Sequence, residues 1–526
     1  MIHVFRLAQS AIAAAGALAA LAGVAGAEAL RPDRVPVEGE TPGRTRPYPL
    51  AMCSNGNVLT NPEYAVKMLE SGARICRTDL AFGTIRPRPG DDPATWDWSA
   101  PERVKKLRGE HPRLEWLGLL GYGTAWAAEP GGGSGIAAPQ RGVRVMPPDD
   151  PRNLYGHYVY ETVRRYKDVI SAWESWNEPD LSGHAFFNGN GADFFHYQKA
   201  CYLAAKKADP GCTVLFASMC FPTFEGYLAS RRLKPPTPYP SRSCFFEEYL
   251  RECAKDPDAK RHNHYFDVMN THTYSRATDA YDYVAVLRRL MKEYTGRDDK
   301  PVWITEMGIT DTGGQFGCSP DEYCDYILQS YAWGCLAGVE RFFHFQLDNS
   351  NGHGLYTGML GQPKPALAAY RDVLARELAT ARLARQLHGS AGAGFLEGGS
   401  PFEGGGRDGW DAFEFRRDDG ARIVMAFADT AETVTARIPA TCAAAELVDR
   451  HGRRKELRAE KGAYEIVLAG ATNVAGWPTS ADPKAKALGR PEHLVGGATV
   501  LIVERPSGRD AGAAVSREPN VGSSRR

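Results

Sequence analysis

From about residue 49 the chain alternates short apolar runs with longer stretches in which apolar residues recur every three or four positions. The short runs read as strands covered on both faces, and the longer ones as helices that bury one side. The strand candidates are Leu50–Cys53, Ala73–Asp79, Leu114–Leu120, Ile170–Trp176, Thr213–Ser218, Phe266–His272, Val302–Thr305 and Arg341–Gln346. A helical candidate follows each in turn: Pro62–Ser71, Pro101–Arg108, Asn153–Tyr166, Asp193–Ala208, Phe245–Ala254, Asp279–Tyr294, Asp321–Leu336 and Pro365–Ala384. In the sixth, Tyr283, Val286, Leu287, Leu290 and Met291 form one apolar stripe. Eight strand–helix units in series predict an α/β fold, a (β/α)8 TIM barrel. The competing arrangement is an open doubly wound sheet, but no GxGxxG or Walker glycine pattern follows the first strand.

Beyond about residue 385 the period shortens to that of strands broken by Gly, Asp and Pro: Phe413–Phe415, Ile423–Ala428, Val434–Ile438, Ala445–Asp449, Tyr464–Leu468 and Ala498–Val503. This pattern predicts a C-terminal all-β sandwich. The expected division is a leader at 1–29, a Pro/Arg-rich linker at 30–48, the barrel at 49–384, the sandwich at 385–506 and a disordered tail at 507–526. The leader has Arg6, a small-residue apolar run from Ile12 to Val24, and two A-x-A triplets, Ala25-Gly26-Ala27 and Ala27-Glu28-Ala29. Such a segment predicts a signal peptide and a secreted or periplasmic protein. A membrane anchor is the alternative, against which the run is short, Ala-rich and followed by no stop-transfer pattern. No other stretch is long and apolar enough to span a bilayer, so no membrane insertion is expected.

Composition narrows the partners. The 526 residues carry 63 basic and 63 acidic side chains, a balance that provides no field to gather nucleic acid. The 23 Tyr and 10 Trp can supply flat stacking surfaces of the kind sugars use. The 11 cysteines are odd in number and match no compact disulfide framework. Cys201 and Cys335 fall in helical stretches, and Cys53, Cys76, Cys212 and Cys220 in or beside strands, as buried thiols do. Cys318 with Cys324 and Cys244 with Cys253 are close enough in sequence to bridge loops. With no C-x2-C or HExxH spacing, neither a metal nor a cofactor is expected, and the sequence leaves the oligomeric state open.

In a parallel barrel the catalytic groups stand at the C-terminal ends of the strands. The fourth run ends Trp173-Glu174-Ser175-Trp176-Asn177-Glu178-Pro179 and the seventh ends Ile304-Thr305-Glu306-Met307-Gly308, so each brings a carboxylate to one rim. Glycosidic cleavage requires two such groups, one protonated at the leaving oxygen and one ionised beneath the anomeric carbon. Strict alternation would turn Asn177 and Glu178 to opposite faces, so both reach one pocket only if the strand stops near Trp176. Pro179, which donates no N–H, favours that stop. Taken singly, Glu178 reads as a solvated turn residue and Glu306 as a cap; paired on strands four and seven they read as functional. His272 and Tyr274 are two apart on strand six and can face the pocket together, although a satisfied core histidine is the plain alternative.

The run Trp176-Asn177-Glu178-Pro179 with Ile304-Thr305-Glu306 resembles clan A of the retaining glycoside hydrolases. Trp176 through Leu181, the helix to Asp209-Pro210, and Asn270-Thr271-His272-Thr273-Tyr274 are similar to family 39, which includes β-xylosidases and α-L-iduronidases. The resemblance spans about residues 49 to 380, and Asp449-Arg450-His451-Gly452 resembles the sandwich that often follows such barrels. It implies a glycoside hydrolase acting on a poly- or oligosaccharide by double displacement, with Glu178 as acid/base and Glu306 as nucleophile. It further implies that Asn177 meets the sugar 2-hydroxyl, Tyr274 hydrogen-bonds the nucleophile and Arg77 is the basic residue beside it. The plain alternative for Arg77 is an ion pair with Asp79 or Glu174. Where many clan members place a stacking tryptophan after strand eight, this chain has Phe342-Phe343-His344-Phe345-Gln346. His344, Trp126, Phe186, Phe187 and Tyr356 are the candidates to line the sugar site instead. A catalytically silent glycan-binding protein and a transglycosylase remain as alternatives, the first disfavoured by the intact carboxylate pair.

Overall fold

The computed structural model describes residues 47–54, 57–131, 135–181, 185–230, 244–274, 276–311, 317–348, 352–389, 409–472 and 495–505. The expected leader and tail, most of the linker, and parts of the loops 131–140, 182–191 and 227–242 lie outside them. Eight parallel strands form one sheet: β1 Leu50–Cys53, β2 Ile75–Asp79, β3 Glu115–Leu119, β4 Ala172–Glu174, β5 Thr213–Leu215, β6 Met269–Thr273, β7 Val302–Met307 and β8 Val339–His344. Their order is β5-β4-β3-β2-β1-β8-β7-β6. The parallel bridges Leu215↔Val268 and Met219↔Thr271 join the two ends, closing the barrel. A helix follows each strand, as the alternation predicts. Capping boxes at Asn190/Asp193 and Ser319/Glu322 begin two of them.

The inward face of the barrel changes character along its axis. Ala51, Ile75, Leu117, Ala172, Leu215, Val268, Trp303 and Phe343 fill one apolar layer. Two residues further on, the same faces carry Arg77, Glu174, Asn270 and Thr305, all buried. The apolar layer makes a dry floor, and the polar groups gather above it at the strand ends. Strand β4 stops at Glu174, two residues short of the expected Trp176.

The sandwich pairs a six-stranded antiparallel sheet with a hairpin. The larger sheet holds β9 Ala381–His388, β10 Trp410–Arg417, β11 Arg422–Ala428, β13 Ala444–Asp449, β14 Arg454–Arg458 and β16 Val500–Glu504; β12 Val434–Pro439 pairs with β15 Ala463–Leu468. Every residue of β11 is buried: Val424, Ala426 and Ala428 face the hairpin, while Ile423, Met425 and Phe427 join the barrel's hydrophobic core. Strand β9 corrects the expected helix Pro365–Ala384. The helix Pro365–Ala368 continues as a wider π-type turn over Ala369–Leu378, and Ala381 already pairs with β10. The sandwich therefore starts inside the span expected for the barrel. The run Ala-Arg-Leu-Ala-Arg has high helix propensity, but pairing buries Ala381 and Leu383 and exposes Arg382 and Arg385, and this tertiary gain overrides the propensity. None of the 11 cysteines is in a disulfide, so neither Cys318–Cys324 nor Cys244–Cys253 is bridged. Among the described residues no helix is long and apolar enough to cross a membrane.

Candidate active site

Glu178 arrives at the barrel mouth through a backbone break. After β4, Asn177 bridges Ser218 in parallel and Glu178 takes φ 42°, a left-handed conformation that few non-glycine residues adopt. The Glu178 N–H donates to Ser218 Oγ at 3.2 Å, and the next turn is tied down where Asp180 accepts from the N–H groups of Cys220 and Thr223. These bonds hold the strained residue, so that Asn177 and Glu178 both face the pocket. On β7 the solution differs. The β6–β7 register slips between Thr271/His272, an irregularity that lets consecutive residues Thr305 and Glu306 both serve the interior.

Arg77 organises the carboxylates. Its guanidinium donates to Glu174 at 2.6 and 3.0 Å, to Glu306 Oε1 at 2.7 Å and to Asn177 Oδ1 at 2.8 Å. Burial works against its charge, but Glu174 and Glu306 outweigh burial and hold Arg77 firmly protonated. The Tyr274 hydroxyl donates to Glu306 Oε2. Burial pushes Glu306 above the usual carboxylate range, while the Arg77 charge and the Tyr274 hydroxyl pull it back. Glu178 receives less help. Burial lifts it to about 7, opposed by Arg77 and assisted by the negative charge of Glu174. One carboxyl is thereby disposed to keep a proton and its neighbour to lose one.

A directed chain of hydrogen bonds agrees with that assignment. Asn270 Nδ2 donates to Glu174 Oε1 at 2.9 Å, which turns Asn270 Oδ1 towards Thr305, whose hydroxyl donates to it at 2.8 Å. Having spent its proton, Thr305 Oγ1 can only accept from His272 Nε2, 3.0 Å away. Burial depresses His272 to about 4, so the ring is neutral near pH 7 and its Nδ1 is a bare acceptor. Nδ1 lies 2.7 Å from Glu178 Oε1, and the bond between them needs the proton on Glu178. Glu178, His272 and Glu306 each place a donor atom within 4.8 Å of the others, a set that could also hold a cation. Such an ion would have to displace the His272–Glu178 bond and share Glu306 with Arg77, so the three fit proton chemistry better than ligation.

Of the residues expected at the site, Glu178, Glu306, Asn177, His272, Tyr274 and Arg77 are brought together. Arg77 bonds Glu174 and not Asp79. His344 is not among them. Phe343 belongs to the inner layer, so His344 turns outward, where Tyr323 and Tyr370 enclose it. Trp126 is also elsewhere: its indole N–H donates to Arg86 O at 2.9 Å, and the Arg86 guanidinium lies over its ring. Phe187 is buried among Trp176, Phe194 and Tyr197. Phe186 instead pairs with Tyr122, rings 5.7 Å apart, and Tyr122 also meets Trp176 edge-on. Tyr122, Glu174, Asn270 and Thr305 are site residues the sequence reading missed in these roles. Counting back in twos from His272 would have found Asn270.

Residues 162–370 match a family model described as the glycosyl hydrolase catalytic core. No curated protein matches the chain. Solved structures share its fold at low identity. A family 39 glycoside hydrolase from Bacteroides cellulosilyticus is 16% identical, with 87% of this chain and 81% of that chain covered and a TM-score of 0.58. A family 39 β-xylosidase from Caulobacter crescentus is 14% identical, with 88% and 97% covered and a TM-score of 0.54. A glucosidase from Croceicoccus marinus is 14% identical, with 84% and 92% covered and a TM-score of 0.52.

Proposed function

We propose, from the premise that the chain is a glycoside hydrolase, that Glu178 is its acid/base, Glu306 its nucleophile, and that cleavage proceeds with retention of anomeric configuration. The observation that carries this is the closeness of the pair: one carboxylate oxygen of Glu178 lies within 4.8 Å of one of Glu306. Retaining enzymes hold their carboxyl groups about 5–5.5 Å apart, while inversion needs about 6.5–9.5 Å to admit a water between them.

The steps follow from the protonation states. Glu178 gives its proton to the glycosidic oxygen as Glu306 attacks the anomeric carbon, so the C–O bond to the leaving group breaks while an ester to Glu306 forms. Glu178, now ionised, takes a proton from an incoming water whose oxygen displaces Glu306, and the cycle closes. Arg77 and Tyr274 keep Glu306 ionised and aimed, and Asn177, held by Arg77, is placed for the 2-hydroxyl. The Tyr122–Phe186 pair, rings 5.7 Å apart in the loops after β3 and β4, supports a stacking role for these aromatics where the eighth strand offers no tryptophan. A β-linked plant or microbial polysaccharide is the substrate class we favour, and the leader-like segment 1–29 supports export.

The test is the configuration of the first-formed sugar, followed by proton NMR, across aryl β-glycosides and α-L-glycosides. Retention is expected, with turnover abolished in Glu306→Ala and strongly reduced in Glu178→Ala on poor leaving groups. An inverted first product would overturn the mechanism.

A further inference from the structure

Arg77 and Asp79 lie two apart on β2 and share its inward face. Arg77 is fully engaged by Glu174, Glu306 and Asn177. Asp79, one layer nearer the mouth, is different: among the described residues no hydrogen bond or ion pair engages its half-buried carboxylate. Its neighbours are Arg77, Glu174 and the phenol of Tyr122, all within electrostatic reach. Tyr122 is itself half-buried, with its ring fixed by Phe186 and Trp176 and no partner for its hydroxyl among the described residues. A desolvated carboxylate left without donors is costly, and burial has already pushed Asp79 above the usual carboxylate range. The mechanism described above gives it no part.

We propose that Asp79 accepts hydrogen bonds from the ring hydroxyls of the sugar remote from the anomeric carbon, beside the Tyr122 phenol, and selects neutral glycones over uronic acids. The inference rests on the site assignment above. A sugar with its anomeric carbon over Glu306 of β7 and its 2-hydroxyl at Asn177, just past β4, turns its next hydroxyls towards β2 and β3. Asp79 ends β2, and Tyr122 follows β3 by three residues. Hydroxyl donors would satisfy the carboxylate, whereas a glycone carrying its own carboxylate would bring like charges together in a dry pocket. A site built around a hydroxyl rejects the analogue that lacks it far more strongly than an apolar pocket rejects a missing methylene.

The experiment is a cycle between Asp79→Asn and deoxygenated substrates. On the neutral aryl glycoside that wild type cleaves best, Asp79→Asn is expected to lower kcat/KM about 10²-fold or more. Wild type is expected to lose a similar factor on the 3-deoxy or 4-deoxy analogue, and the variant to lose little more. The variant should also narrow the gap between the neutral glycoside and the matching uronide. A deoxy penalty of the same size in both proteins, or unchanged turnover in Asp79→Asn with an unchanged melting temperature, overturns the proposal. If wild type cleaves none of the panel, the site assignment itself has failed. Calorimetry with free neutral monosaccharides then decides on Asp79: affinity at least 10-fold weaker in Asp79→Ala supports it, and equal affinity overturns it.

Discussion

Thr305 spends its proton on Asn270 and so fixes the His272 proton on Nε2, leaving Nδ1 bare towards Glu178. Asn270, Thr305 and His272 thereby bias the proton towards Glu178, the proposed general acid. Two consequences follow for pH dependence. Glu178 must be protonated to act, and burial sets it at about 7, so kcat/KM falls as pH rises through about 7. Glu306 must be ionised, so the rate climbs with pH on the acid side. In Glu178→Gln the limb near 7 disappears when a dinitrophenyl leaving group needs no proton, while poor leaving groups lose about 10²–10⁴-fold. Thr305→Val removes the acceptor at Nε2 and allows His272 to carry its proton on Nδ1 instead. That proton would bond ionised Glu178, favouring the charged form, so the basic limb should move to lower pH. A pH–rate profile of Thr305→Val with an unmoved limb would detach Thr305 from the acid.

At the scale of elements, the site depends on where strands stop and slip. Gly118 of β3 shows how tightly the strands are held. A Cβ there would lie 2.6 Å from the ring of Trp173, its register partner on β4, so Gly118→Ala must push the strand that carries Glu174. The expected cost is about 1–3 kcal/mol, read as a lowered denaturation midpoint. The barrel was legible in the sequence because short strand-like runs and amphipathic helical stretches alternate eight times, even though β2, β4 and β6 carry polar residues among their apolar ones. The carboxylate pair was legible because both glutamates end such runs. His344 was not. Phe342-Phe343-His344-Phe345 is apolar on both faces, so no period reveals which residues turn inward. Strand β9 was hidden behind helix-forming residues, and β14, mostly charged and at the sheet edge, has no hydrophobic run to announce it. The chain of bonds behind His272 was hidden for another reason: it depends on the pairing of β6 with β7, and only barrel closure brings Glu174 of β4 to Asn270.

On the scale of the whole molecule, the sandwich is docked and not merely tethered. Phe413 packs edge-on against Trp333 at 5.1 Å, Gln329 donates to Gly497 O and Thr499 Oγ1, and Arg450 reaches Asp321 and the buried Asp325 on one barrel helix. Burial raises Asp325 to about 7, with Arg450 opposing. A carboxyl raised above its unfolded value of about 3.9 stabilises most below that value, and the contribution is lost as pH rises through about 7. Arg450→Ala leaves the charge without its partner and is expected to cost on the order of 3 kcal/mol. The loss should be larger at pH 8 than at pH 5, which calorimetric unfolding at the two values would check; equal losses would mean that Asp325 is not the group involved. The sheet thus braces the barrel from outside, and the mouth is left to the strand ends and their loops, where the chemistry is placed. The most direct test of that chemistry is to trap its intermediate. Incubation with dinitrophenyl 2-deoxy-2-fluoro-glycosides, then proteolysis and mass spectrometry, should find one sugar attached to Glu306. A label on another residue, or turnover of the parent glycoside to an inverted product with no covalent adduct, would contradict the account.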